Sequence, residues 1–170
     1  TARAAGTGAL ALWCAPDAAH RFFRALTLRH GVKAHTQPTG DLGHRMAAAL
    51  SHHFAQTPHQ PLLIVGTDCP VLTPGHLQQA ANLLQSVDAV LIPAEDGGYV
   101  LIGFRKPVPE VFTQIEWSTP QVLEQTRERL REAGASWHEL PTLWDVDEAA
   151  DWLRWRTLQA TPPVGVATHR

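Results

Sequence analysis

One uninterrupted apolar run, Leu62–Val65, stands out in the hydrophobic pattern of the chain. Four apolar residues without polar alternation are typical of a strand covered on both faces, as in a parallel sheet flanked by helices. Other apolar runs predict strands at residues 9–13, 32–36, 88–93, 99–104 and 136–140. Helical spacing and capping signals predict helices at residues 16–28, 41–54, 73–85 and 118–134, and a terminal helix after Asp147.

This alternation of strands and helices predicts a three-layer α/β domain with a mainly parallel sheet. We expect a single domain over residues 1–160, followed by a flexible tail at residues 161–170. A chain of 170 residues with 44% hydrophobic and 18% charged residues has the composition of one globular domain.

Charge and cysteine content exclude several classes of function. The net charge of −2 shows no basic excess, which argues against a nucleic-acid-binding surface. No apolar run approaches the roughly 18 residues of a membrane-spanning helix, so no membrane insertion is expected. Two cysteines cannot make a disulfide framework, which favours a reduced, cytoplasmic setting.

Asp68 follows the strand Leu62–Val65 directly, between Gly66 and Pro70. In open α/β sheets, ligands bind at the carboxyl ends of the strands. A carboxylate at this edge is well placed to hold a hard cation such as Mg²⁺, which takes oxygen ligands and shares them with substrate phosphates. The alternative is that Asp68 only caps the turn or the next helix.

A second candidate segment lies at residues 40–45, where a strand gives way to a helix. Gly40, Asp41 and Gly43 stand at this helix start, whose amides can bind an anion, and Arg45 can add positive charge toward a phosphate. Helix capping by Asp41, with glycine for the chain reversal, explains the same residues equally well.

Two further segments place polar groups at strand or helix ends. Glu95 and Asp96 could bind a metal or sugar hydroxyls, although Gly97 and Gly98 are also typical of a hairpin turn. A capping box at residues 118–121 explains Ser118 and Thr119, with a substrate contact as the alternative.

Asp145 and Asp147 alternate along the chain, so an extended backbone would turn both to the same side. Either could supply a second metal ligand, and the alternative role for Asp147 is to cap the terminal helix. The six tryptophans are expected to pack mostly in the core and between helices.

Five motifs occur in one order along residues 9–155. They are Gly-Asp-Leu-Gly-x-Arg-Met at 40–46, Gly-Thr-Asp-Cys-Pro at 66–70, Pro-Ala-Glu-Asp-Gly-Gly-Tyr at 93–99, Trp-Ser-Thr-Pro at 117–120 and Asp-Val-Asp at 145–147. This series resembles the DUF2064 family, also described as radical-SAM/selenodomain-associated transferase 1, of the nucleotide-diphospho-sugar transferase (GT-A) superfamily.

The resemblance implies a GT-A, Rossmann-like fold and a metal-dependent transferase of glycosyl or nucleotidyl type. It implies Mg²⁺ or Mn²⁺ as cofactor, a nucleotide-sugar or nucleoside triphosphate donor and a small-molecule acceptor. Asp68 matches the usual metal-binding carboxylate, and Asp147, with Asp145 as the alternative, matches the late one. Glu95 and Asp96 would face the acceptor as catalytic residues. The remaining candidates would bind substrate: Gly40, Asp41, Gly43, Arg45, Gly97, Gly98, Ser118 and Thr119. A non-catalytic domain that binds a metabolite or a protein partner is the alternative.

The chain departs from the family pattern at its start. Family members normally begin with a strand and a loop that contains glycine and basic residues, and this segment has no counterpart here. Either the chain is a fragment of a longer protein or it has lost this element. That strand would be central in the sheet, so a protein of only these 170 residues is expected to show self-association as a homo-oligomer, a rearranged sheet or poor solubility.

Overall fold

A computed structural model describes residues 1–160 of the protein, so the tail at residues 161–170 lies outside the described residues. The strands are β1 (Ala11–Cys14), β2 (Lys33–Thr36), β3 (Leu62–Val65), β4 (Ala89–Pro93), β5 (Tyr99–Phe104) and β6 (Trp137–Glu139). The α-helices are α1 (Ala2–Ala5), α2 (Arg21–His30), α3 (Leu42–Gln56), α4 (Pro74–Leu83), α5 (Val122–Glu132) and α6 (Ala149–Ala160). A 3₁₀ helix covers Pro109–Phe112.

The α/β fold class predicted from the pattern is confirmed. Each predicted strand is found within one or two residues of its expected place, whereas α1 and the 3₁₀ helix have no counterpart in the sequence interpretation. α5 begins at Val122, four residues after Ser118, and Gln121 at its start makes no side-chain cap. The predicted capping box is therefore wrong, because Ser118 adopts a left-handed conformation (φ 63°) inside a separate turn.

The strands form a four-stranded sheet in the order β3-β5-β4-β6 and a separate two-stranded sheet of β1 and β2. β4 pairs with β6 in parallel, whereas β5 is antiparallel to both β3 and β4. Three strands of the larger sheet thus run in one direction. β5 reverses because only five residues, 94–98, join it to β4, too few for a parallel crossover.

Helices cover both faces of the larger sheet and give the predicted three layers. On one face Leu91 and Ile102 pack against Leu50 of α3. On the other face Val90 packs with Leu77 of α4. Neighbouring residues of β4 point to opposite faces, and every residue from Ala89 to Ile92 has an exposed fraction of 0%.

β3 is covered on both faces but is less buried than its apolar run predicts. Leu62 and Ile64 pack against one core cluster, and Leu63 and Val65 against the other. All four residues are nevertheless half-buried, because β3 is the edge strand of the larger sheet. No strand pairing joins the two described sheets. Self-association stays a prediction.

Between residues 1 and 160, no helix combines the length and apolarity that crossing a membrane requires.

A buried carboxylate, Asp88, fastens the start of β4 to its neighbours. It is 7% exposed and accepts hydrogen bonds from Arg105 Nη2 at 2.6 Å, Ser136 Oγ at 2.9 Å and Ser136 N at 3.0 Å. Lys106 Nζ lies 3.2 Å away. The Arg105 guanidinium, followed by the Ser136 amide, holds the pKa of Asp88 well below its usual range. This carboxylate therefore joins β4, the end of β5 and the loop before β6.

We expect Asp88→Asn to destabilise the protein by about 1–2 kcal/mol at neutral pH, because it removes the charged acceptor of the Ser136 donors and of two half-exposed cations, Arg105 and Lys106. Since the folded pKa is depressed, the stabilisation is present above the ordinary pKa of 3.8 and is lost as the pH falls below it. Urea unfolding at neutral pH and in acid measures both effects. Glu132→Gln, which removes an exposed partner of Arg129, is the control; equal losses in the two variants would contradict the account.

Candidate metal and substrate site

Three carboxylates meet at one edge of the larger sheet. Asp96, Asp145 and Asp147 each offer an oxygen, and these oxygens all lie within 4.8 Å of one another. Asp96 belongs to the turn between β4 and β5, whereas the other two follow β6. We call these three residues the acidic group. Its members are oxygen donors only, the ligand type that Mg²⁺ and Mn²⁺ favour.

Main-chain hydrogen bonds bring the acidic group together. Leu143 donates to the carbonyl of Pro93 at 2.9 Å and accepts from the amide of Glu95 at 3.0 Å, which extends the pairing beyond the ends of β4 and β6. The amide of Val146 then donates to the carbonyl of Asp68 at 3.0 Å. Three chain segments that are distant in sequence are therefore fixed at the carboxyl ends of β3, β4 and β6.

Asp68 lies beside the acidic group without being one of its three members. Its negative charge raises the pKa of both Asp145 and Asp147, so it is an electrostatic neighbour of the group. Asp68 is exposed and follows β3, as the sequence predicts.

Burial and mutual repulsion govern the charge of the acidic group. Desolvation first, then the charges of Asp96, Asp147 and Asp68, raise the pKa of Asp145 to about 6. Desolvation, Asp68 and Asp96 also raise the pKa of Asp147. Within residues 1–160, no salt bridge from lysine, arginine or histidine reaches any of these four carboxylates. A divalent cation would relieve this repulsion.

The capping role considered for Asp147 is taken by another residue. The Asp151 carboxylate accepts hydrogen bonds from the amides of Asp147 and Glu148, at 3.3 and 3.0 Å. The side chain of Asp147 lies in the acidic group instead.

Glu95, a predicted catalytic residue, is held in an ion pair. Arg154 of α6 donates to its two carboxylate oxygens at 2.7 and 3.1 Å, and this lowers the pKa of Glu95. The same guanidinium stacks on Trp144, with its central carbon 4.4 Å from the ring centroid. Glu95 therefore links α6 to the sheet edge beside the acidic group.

The segment at residues 40–45 has the conformation of a capped helix start. Asp41 Oδ1 accepts the amide of His44 at 2.8 Å, and Arg45 Nε donates to the carbonyl of Gly40 at 3.1 Å. Gly43 is buried against Trp117, and a Cβ atom there would lie only 2.6 Å from the indole nitrogen. A cavity of about 350 Å³ borders Asp41, Gly43 and Trp117. Capping is thus observed, beside a space that a ligand could enter.

The turn that carries Asp96 packs tightly on residues 118–121. Gly97 has φ 92°, and a Cβ atom there would lie 2.3 Å from the carbonyl oxygen of Pro120. The Gly98 amide donates to Asp96 Oδ1 at 2.9 Å, which orients the carboxylate. Thr119 Oγ1 donates to the carbonyl of Glu116 at 2.7 Å, while Ser118 is exposed. These residues shape the wall beside the acidic group.

Comparison with known proteins agrees with this fold. The family described as "Uncharacterized protein conserved in bacteria (DUF2064)" matches residues 1–119. The chain belongs to the DUF2064 family. It is also similar to the crystal structure of an inferred nucleotide-diphospho-sugar transferase from Desulfovibrio desulfuricans G20, with 32% identity and a TM-score of 0.80 over 91% of this chain and 68% of that one. No curated protein matched the sequence.

Sequence reasoning missed two tryptophans at this edge. The six tryptophans were expected to pack mostly in the core and between helices, but Trp152 is 50% exposed, and both it and Trp155 line a cavity with Asp68. Their spacing of three residues places them on one face of a helix, which is the only signal that the sequence carries. Hydrophobic periodicity alone does not show whether this face of α6 packs on the core or contacts a ligand.

The raised pKa of Asp145 predicts an unusual pH dependence in the metal-free protein. An unfolded aspartate titrates near 3.8, whereas the folded protein holds this proton up to about pH 6. The folded state binds more protons between those values, so this group's contribution to stability falls as the pH rises through the window.

Asp145→Asn should therefore flatten the melting temperature between about pH 4 and pH 6 in the presence of a chelator. Scanning calorimetry of the wild type and the variant across this window measures the difference. Glu132→Gln again serves as the control, and superimposable profiles for wild type and Asp145→Asn would show that the pKa of Asp145 is not raised in the folded protein.

Proposed function

We propose that the protein is a metal-dependent transferase of glycosyl or nucleotidyl type that uses a nucleotide-sugar or nucleoside triphosphate donor. The observation that carries this proposal is the acidic group at the carboxyl edge of the sheet. Support also comes from the family and from the structural similarity to an inferred nucleotide-diphospho-sugar transferase.

The donor set of the acidic group suits Mg²⁺ or Mn²⁺. Asp96, Asp145 and Asp147 supply hard carboxylate oxygens, and the group contains no cysteine or histidine that would favour zinc. A cation on these carboxylates would neutralise the charge that builds on the leaving phosphate of the donor.

The chain's own residues then have separable tasks. The acidic group would hold the metal, and Asp68 at its rim would contact the metal's outer ligands or the acceptor. Asp96 is oriented by the Gly98 amide, so its carboxylate is set before any ligand binds. Glu95 is proposed to act at the acceptor only after Arg154 releases it, since the ion pair occupies both its oxygens.

The remaining candidates are assigned to the substrate. Gly43 and Asp41 border the cavity of about 350 Å³, within the usual 300–1,000 Å³ range of small-molecule pockets. The Asp41 carboxylate already accepts the hydrogen bond of the His44 amide at the start of α3. A phosphate of the donor substrate is therefore better held by the metal than by this helix. Gly40 and Arg45 would keep the cavity's entrance in shape through their own hydrogen bond.

One observation favours a second candidate, a non-catalytic domain that binds a metabolite. Glu95, which the sequence predicted to act at the acceptor, is paired with Arg154 in the described structure. A degenerate domain would bind its ligand without requiring metal.

The metal assignment predicts the outcome of a calorimetric titration of Mn²⁺. Asp145→Asn should weaken Mn²⁺ binding at least tenfold, about 1.4 kcal/mol, because it removes one of three charged ligands. Asp68→Asn should weaken binding of metal plus nucleotide while leaving binding of the metal alone closer to wild type. Glu132→Gln is the charge-matched control and should bind as wild type does. Equal Mn²⁺ affinity in Asp145→Asn and wild type would remove the metal from the proposal.

A thermal-shift screen with and without Mn²⁺ tests donor use. A donor at about 100 times its Kd adds about 2.7 kcal/mol of stability, which raises the melting temperature by roughly 5–10 °C in a domain of this size. A metal-dependent shift with nucleotide sugars favours glycosyl transfer, and one with nucleoside triphosphates favours nucleotidyl transfer. A shift of equal size without metal supports the non-catalytic domain, and no shift with either donor class contradicts the transferase.

A further inference from the structure

A second, smaller cavity opens beside Asp68. It has a volume of about 210 Å³ and is lined by Thr67, Asp68, Pro70, Val146, Trp152 and Trp155. It adjoins the acidic group, because Val146 stands between Asp145 and Asp147 in the chain and donates to the carbonyl of Asp68. The wall formed by the two tryptophans belongs to α6.

The two tryptophans of this wall are not explained by core packing. α6 has no buried residue, and Trp152 is 50% exposed. The two rings contact each other, with centroids 4.9 Å apart and planes tilted by 41°. Large apolar rings left open beside a site commonly mark a binding surface.

The wall is held in place relative to the acidic group. The Arg154 guanidinium bonds to both oxygens of Glu95 and stacks on Trp144, which is 7% exposed. The Asp151 carboxylate fixes the start of α6 through two amides. While Arg154 holds Glu95, the wall is fixed, and a wall fixed before binding lowers the ordering cost that a ligand would otherwise meet.

We propose that this cavity binds a single sugar ring, stacked on Trp152 and Trp155, with its hydroxyls bonded to Asp68 and Thr67. Aromatic faces carry partial negative charge and attract the C–H groups on one face of a sugar, while a carboxylate accepts from hydroxyls. At about 210 Å³ the cavity falls below the range of drug-sized pockets, so it suits one ring and not a whole nucleotide. Sugar binding is argued from the cavity alone. The role of the sugar, as part of the donor or as the acceptor, rests on the proposed function.

Saturation-transfer NMR with a panel of free monosaccharides, in metal-free buffer, tests the proposal. We expect at least one monosaccharide to bind, with the transfer concentrated on the C–H protons of one face of the ring. Trp152→Ala should weaken that binding about tenfold, and Trp152→Phe should restore part of it. The control is Leu158→Ala, which truncates a 52% exposed side chain of the same helix outside the cavity and should leave binding unchanged.

Each other result has a defined meaning. Four results would overturn the sugar subsite. They are binding of nucleosides in place of monosaccharides, monosaccharide binding that Trp152→Ala does not change, no binding at all, and a concentration-dependent dimer that covers the tryptophans. Trp155→Ala provides a second variant if Trp152→Ala fails to fold. In a second titration with Mg²⁺ added, so that a donor can bind, competition by a nucleotide sugar but not by its nucleoside diphosphate would support the subsite and assign it to the donor sugar. An absence of competition by either, with the monosaccharide bound, would support it and assign it to the acceptor.

The outcome is separable from that of the transferase proposal. Sugar binding without Mn²⁺ affinity would leave the subsite in place and remove the metal-dependent reaction. Mn²⁺ binding without sugar binding would do the reverse.

Discussion

Electrostatic repulsion among carboxylates at one sheet edge is the constraint on which the site depends. Charges a few ångströms apart interact by about 4 kcal/mol at the effective dielectric of a protein surface. Asp145 shows the consequence, since burial and its acidic neighbours raise its pKa to about 6. The carboxylates stay this close only if other contacts fix the segments that carry them. Their repulsion favours binding of a positively charged ligand.

The contacts that hold the chain come from the sheet. β4 is buried along its length and anchors two loops, because the segment after β6 continues to pair with its end through Leu143. Asp88 fastens the opposite end of β4. The turn with Asp96 packs closely on Pro120 at Gly97, and the Gly98 amide orients the Asp96 carboxylate. β4 therefore contributes both to the stability of the sheet and to the geometry of the site.

Much of the fold followed from local patterns. Apolar runs located the strands. β3 ends just before Gly66, and Asp68 follows before Pro70, so the sequence alone placed Asp68 at the carboxyl end of this strand. The position of β3 within the sheet could not be predicted, because strand order depends on pairing between distant segments. Ser118 was assigned to a helix cap, but tertiary packing of its turn on Gly97 determined a left-handed conformation instead.

The site was only partly visible in the sequence. Alternation indicated that Asp145 and Asp147 share a side, but their approach to Asp96 requires the pairing of Leu143 with β4, which no local signal encodes. Glu95 resembled a free carboxylate until Arg154, 59 positions away, was placed against it. The six tryptophans were expected to pack mostly in the core and between helices, and no local signal shows that Trp152 and Trp155 line a cavity instead.

Anomalous X-ray scattering from crystals grown with Mn²⁺ tests the central claim most directly, because it locates the ion itself. The account predicts one strong peak bounded by the carboxylates of Asp96, Asp145 and Asp147, with metal–oxygen distances of about 2.0–2.3 Å. A peak at another place in the chain, or no peak between these three carboxylates at a saturating Mn²⁺ concentration, would contradict it.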